Sequence, residues 1–223
     1  SVHVAPDGKW DETPDFDKNV VVIVDAEVKN AADVRALGIE VGDYISLDTR
    51  YRYDNGYIKS RFLDDKLMVA ILLEGARELS RRSVTPKRKT YIQIAMYEEI
   101  GHGGACGIPA DTKDLIAVDI GCIGLDHDSD EHKVTITTKD AAFPYHTVLT
   151  NELVQLCEAN EIPYALDMMV PSYGSDADVT LRAGYDVRHA LIGPGVRETH
   201  GYERTHEDAL AATLALLMAV VEA

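Results

Sequence analysis

From Ile58 to the C-terminus, short β-rich runs alternate with helix-length apolar stripes, and this alternation restricts the chain more than any other feature. The runs Tyr91–Met96, Asp114–Val118, Val134–Thr138, Ile162–Leu166 and His189–Ile192 have strand length and strand composition. Between them, Leu67, Met68, Ala70, Ile71, Leu73, Ala76 and Leu79 mark a long helix that is apolar enough to need cover on several sides. Thr150 is placed to cap a helix carrying Leu153, Val154, Leu156 and Cys157, and Thr205 to cap a closing helix from about His206 to Val221. Strands that alternate with helices predict an α/β sandwich around a largely parallel or mixed sheet. The first 57 residues have a different texture. An apolar run, Val20–Val24, precedes a short helix capped by Asn30 and stopped by Gly38; Ile39–Ile45 then alternates like a strand, and Asp54-Asn55-Gly56 is a turn. The expected organisation is therefore the end of a small β-rich module over residues 1–57, followed by an α/β domain over 58–223.

Charge narrows the range of partners. Lys and Arg number 22 against 38 Asp and Glu, a formal charge of −16. Binding to nucleic acid or to an anionic membrane draws on a cationic face, so neither is expected. The longest apolar stretches, Leu67–Leu73 and Ala209–Val221, fall short of the ~18 residues of a spanning helix. Cys106, Cys122 and Cys157 are an odd number without close spacing, which reads as reduced thiols in a cytoplasmic protein, not as a disulfide frame or a C-x-x-C site. No basic segment leading into an apolar one opens the chain, so no secretion signal is indicated. The chain opens on Ser1 and not on Met, which suggests an upstream portion.

Ligands of α/β sheets bind beyond the carboxyl ends of the strands. There the sequence places Glu98 and Glu99, then Asp119, then His200, with Asp64 and Asp65 at the start of the long helix. Carboxylates converging on one rim repel one another unless a cation neutralises them. Carboxylate and imidazole donors suit zinc, cobalt or manganese, and a pair of such ions about 3.5–4 Å apart needs one bridging carboxylate and a nearby base. Adjacent acids at a helix start also occur as solvated faces, because the helix dipole favours them. Glu98 and Glu99, being neighbours, cannot both face the ions from a regular strand, so one is free to handle a proton.

Five segments occur in an order that resembles a known family: Ser60-Arg-Phe-Leu-Asp-Asp-Lys66, Tyr97-Glu-Glu-Ile-Gly101, Val118-Asp-Ile-Gly121, Tyr173-Gly-Ser-Asp-Ala177 and Arg197-Glu-Thr-His-Gly201. They look like those of the TET-type dinuclear metalloaminopeptidases, peptidase family 42, also labelled glutamyl aminopeptidases or cellulase M. The resemblance implies a three-layer α/β sandwich of the zinc-peptidase type, with part of a small β-rich dimerisation-type module. It implies two divalent ions per site, zinc or cobalt, with Asp64 bridging, Glu99 and His200 completing one ion and Asp119 serving the other. Glu98 would be the general acid/base, Asp65 a group orienting a ligand, and Asp176 a residue near the substrate or a helix cap. The implied chemistry is release of N-terminal residues from short peptides, in homo-oligomers that range from dimers to tetrahedral dodecamers. The family also draws a ligand from an upstream H-x-D motif, and nothing before Asp64 fits, since His3 is followed by Val4-Ala5. His206-Glu207-Asp208 has those letters, but capping of the last helix accounts for it. An inert fragment or scaffold is therefore a second reading. An endoglucanase is a third, which the single indole, Trp10, and the lack of an aromatic platform disfavour. Among the other histidines, His102 reads as structural, and His127 and His132 as part of a solvated acidic loop.

Overall fold

The computed structural model describes residues 20–223; Ser1, His3 and Trp10 lie outside the described residues. The chain divides into two units, Ser1–Leu47 and Asp48–Ala223. The change comes ten residues before the boundary expected from sequence. The reason is that strand β1 (Arg52–Asp54) turns at Asn55-Gly56 into β2 (Tyr57–Ser60), which pairs antiparallel with β8 (Glu203–His206). The hairpin thus adds strands to the second unit. In the first unit, helix α1 (Ala31–Ala36) forms where Asn30 predicts it, with the Asn30 carboxamide oxygen accepting from Ala32 and Asp33, and Gly38 follows it at φ +82°. Val20–Val24 and Ile39–Ile45 form no strand. Alternation marks a face to be buried, but without a pairing partner that face stays in solvent, as Val41 and Tyr44 do.

The second unit carries a five-stranded mixed sheet in the order β3-β7-β5-β6, with β4 (Gly121–Cys122) continuing alongside β7. Strand β3 (Asp114–Val118) is parallel to β7 (Arg188–Val196), β7 is antiparallel to β5 (Val134–Lys139), and β5 is parallel to β6 (Tyr164–Met168). Side-chain alternation divides the core into layers. Ile136, Ala190 and Ile192 point to one face, where Leu149, Leu153 and Cys157 of α3 (Thr147–Ala159) and Ala212 and Leu216 of α5 (Glu207–Glu222) cover them. Leu191 and Ala117 point to the other face, against Tyr145 and Ala177 of α4 (Asp176–Arg182). The long helix α2 (Leu63–Arg81) packs Leu67, Met68 and Ile71 against Ile120 and Val196. Helix, sheet and helix make the expected three layers.

Local expectations change in four places. Tyr91–Met96 is not a strand: it pairs with none of the described residues, and Ile92, Ile94 and Met96 are exposed. Helix α2 buries a single stripe and leaves Leu73 in solvent, because only one side meets the sheet and α5. The cap of α3 is His146, whose Nδ1 accepts from Leu149, while Thr150 lies a turn inside. The cap of α5 is His206 and not Thr205, which is buried in β8 with its hydroxyl donating to the Gly195 carbonyl at 2.7 Å. In α5 the imidazole takes the cap position while the adjacent Thr205 is drawn into the core; in α3 Thr150 is buried within the helix, four residues past the cap.

Candidate metal centre

The site is assembled from a helix start, a turn and two strand ends. Phe62 adopts a left-handed conformation (φ +64°), and Asp64 and Asp65 depart from helical geometry, joined by a cis peptide, before the regular helix begins. Glu98 and Glu99 do not follow a strand but lie in a 3-10 turn, Glu98–Ile100, which Gly101 ends at φ +77°. Asp119 follows β3 directly and is buried. Its Oδ1 accepts from the Ile120 amide at 2.7 Å, and the Tyr173 hydroxyl donates to the Ile120 carbonyl at 2.8 Å. The approach of Asp119 to β7 depends on Gly193, where a Cβ would stand 1.6 Å from the Asp119 carbonyl oxygen. His200 lies in the β7–β8 connection, also with positive φ.

These segments bring the expected side chains together. The His200 imidazole Nε2 lies 3.3 Å from Asp64 Oδ2 and 3.5 Å from Glu99 Oε2. Donor atoms of Asp64, Glu99 and His200 lie within 4.8 Å of one another, and so do those of Asp64, Asp65 and Asp119. Asp64 belongs to both groups, which is the placement a bridging carboxylate needs. Asp65, expected as an orienting group, stands as close to Asp119 and Asp64 as a direct ligand would. Asp176 starts α4 with Ser175 as its cap, and its carboxylate packs against Gly103 close enough to Glu98 to repel it.

Electrostatics show the cost of this convergence. Burial, reinforced by the charge of Glu99, pushes the Asp64 carboxyl up to about 6. Burial, then the charges of Asp64 and Glu98, raises Asp119 well above the ordinary carboxylate range, and burial with Asp119 and Asp64 does the same to Asp65. Glu98 is pushed up to about 7 by burial and by Asp176, Glu99 and Asp64. Such carboxylates are stable as anions only opposite a positive charge, and no Lys or Arg among the described residues pairs with them. The buried Asp65 Oδ1 has no hydrogen-bond partner among those residues. Carboxylate and imidazole donors in two overlapping groups fit a pair of divalent ions.

One contributor escapes a reading by motif. Glu203 is 1 % exposed, and its carboxylate accepts from the amides of Leu63 (2.5 Å), Asp64 (3.2 Å) and His200 (3.2 Å). It therefore fixes the segment bearing Asp64 to the segment bearing His200. The available signal is that Glu203 and Thr205 share the inward face of β8, where an acid needs partners.

Comparison with known proteins concerns the family and the fold. The profile of the M42 glutamyl aminopeptidase family matches residues 1–216. YhfE of Bacillus subtilis (strain 168), which carries an aminopeptidase name, is 42% identical over 224 residues; the match takes in 100% of this chain and 64% of YhfE. The chain thus spans less than two thirds of the length of that curated relative. Among solved structures, aminopeptidase APDkam598 from the archaeon Desulfurococcus kamchatkensis superimposes with a TM-score of 0.73 at 19% identity, over 94% of this chain and 63% of that one. The TET1 peptidase of Pyrococcus horikoshii, described as assembling into a tetrahedron or a large octahedral shell, gives 0.62 at 18% identity over 77% and 53%. At these identities the structural likeness concerns the fold.

Proposed function

Because the chain belongs to the M42 glutamyl aminopeptidase family, we propose that it carries most of the catalytic domain of a metal-dependent aminopeptidase that releases N-terminal residues from short peptides. The observation behind this reading is the sharing of Asp64 between two donor groups, one completed by Glu99 and His200 and the other by Asp65 and Asp119. Divalent ions held there, zinc or cobalt, supply a Lewis acid for the scissile carbonyl and lower the pKa of a water molecule. The remaining roles fall to the chain itself. Glu98 stands beside the donor cluster without belonging to either donor group, so its carboxylate is free to take a proton from water and return it to the leaving amine. Glu203 holds the ligand-bearing segments in place, and Asp176 borders Glu98 on the substrate side. An assembly of several copies, like that described for the Pyrococcus horikoshii relative, is part of the same proposal, with the unit before Asp48 as the end of a dimerisation-type module.

Glu98→Gln tests the reading. Hydrolysis of aminoacyl-p-nitroanilides should fall by about 10²–10⁴-fold, while metal content by elemental analysis stays the same. A variant that keeps its activity, or one that loses its metal, removes Glu98 from the proton-transfer role. Parallel assays on a soluble glucan distinguish the endoglucanase reading, which predicts release of reducing sugar.

A further inference from the structure

On the far end of β8 a second group of donors converges, sharing no residue with the centre above. His132 comes from the loop before β5, and His206 and Asp208 from the start of α5; their donor atoms lie within 4.8 Å of one another. Asp208 Oδ2 is 2.9 Å from His132 Nδ1 and 3.2 Å from His206 Nδ1. We propose that these three side chains form a second cation site, selective for zinc-class ions, that pins the loop before β5 to the start of α5.

Three observations support it. First, the His206 ring is held in a fixed position. It packs edge-on against Tyr57 at 4.8 Å, and its Nε2 is so close to the turn that a Cβ at Gly56 would stand 2.2 Å away. The turn therefore shields Nε2 and leaves Nδ1 as the available nitrogen. Second, that nitrogen accepts the Asp208 amide at 3.1 Å, so it already presents a lone pair and needs no deprotonation to bind a cation. A bound ion would take over this lone pair and release the amide to solvent at an exposed helix start. Third, the surrounding acids are engaged by Lys, Arg or a tyrosine hydroxyl, whereas the side-chain partners of Asp208 are imidazoles. Asp130 pairs with Lys133, Glu131 with Arg204 and Arg197, and Glu207 accepts from the Tyr53 hydroxyl. Among the described residues, Asp208 meets only the two imidazoles.

The dimensions also agree. A tetrahedral ion with bonds of about 2.0–2.1 Å places its donor atoms about 3.3 Å apart, a few tenths of an ångström from the two separations observed. Two imidazoles and one carboxylate select zinc, copper, nickel or cobalt over magnesium and calcium, which prefer all-oxygen sets. Exposure of His132 and Asp208 leaves the fourth position to solvent.

Zinc binding to the full chain, followed by calorimetry, tests this in a background of Asp64→Asn, Asp65→Asn, Glu99→Gln, Asp119→Asn and His200→Ala, which removes the five donors of the first centre. One zinc equivalent should remain, weakened at least about tenfold by His132→Ala and by Asp208→Asn. Copper(II) bound in the same background should show spin-resonance coupling to two imidazole nitrogens, falling to one in His132→Ala. Magnesium or calcium should not displace the zinc. Absence of the remaining equivalent, or equal affinity with and without His132, overturns the proposal. If the background variant does not fold, equivalents are counted in the otherwise unaltered chain: loss of one on His132→Ala supports the site and an unchanged count refutes it. Neither outcome depends on peptidase activity, so the proposal stands or falls apart from the reading of the first centre.

Discussion

Replacing Glu203 by Gln is the most informative single perturbation, because it removes one charge and changes no volume. The carboxylate receives three backbone N–H groups, from Leu63 and Asp64 on Oε2 and from His200 on Oε1. A carboxamide has only one acceptor oxygen, so whichever way it turns, its NH₂ faces at least one of these donors. At least one hydrogen bond to a charged group is lost, at about 1.5–3 kcal/mol, and a buried donor is left unpaired. The expected cost is about 2–3 kcal/mol, which in a chain of this length lowers Tm by about 5–10 °C. If the strain is relieved instead by moving Asp64 away from His200, the same energy corresponds to about 30–150-fold in zinc affinity. Thermal melts with and without zinc, together with a zinc titration, separate the two. Glu207→Gln, in the next strand-to-helix junction but on the surface, is the control and should shift Tm by far less. A Glu203→Gln variant with unchanged Tm and unchanged zinc affinity would refute the view that this carboxylate ties the ligand-bearing segments together.

Other consequences are open to simple measurement. His200→Ala should deplete bound metal in elemental analysis while altering stability by less than about 0.5 kcal/mol, since its side chain is largely exposed. Full metal occupancy would exclude His200 as a ligand. Gly193→Ala sets a Cβ against the Asp119 carbonyl and should cost about 3 kcal/mol in a denaturant titration, with metal binding weakened as β3 is displaced. Asp178 is buried beside Asp140, and burial with that neighbour raises its carboxyl to about 7. The folded chain then binds a proton that the unfolded chain has released, so stability should fall as pH rises from about 4 to about 7 and stay reduced above it. Asp178→Asn should flatten that part of the profile and raise Tm at pH 8; a slope that is unaltered assigns it to other groups.

The alternation of strands and helices, the turn at Asn55-Gly56 and the Asn30 cap are local facts, and the sequence alone predicts each of them correctly. The ordered acidic segments are legible as residue types, but Glu98 and Glu99 follow no strand and lie in a 3-10 turn, so reasoning from strand ends does not place them. The remainder depended on long-range contacts. Alternation in Tyr91–Met96 and Ile39–Ile45 specifies a face but supplies no partner, so neither becomes a strand. The caps moved to His146 and His206, with Thr205 drawn into the core and Thr150 buried within its helix, a choice that packing makes and local propensity does not. Glu203 acquires its role from amides 140 and 139 residues away, and His132 meets Asp208 across 76 residues. The sequence states which donors the chain possesses; only the closing of the sheet, by bringing distant backbone and side chains within a few ångströms, decides which of them share a charge.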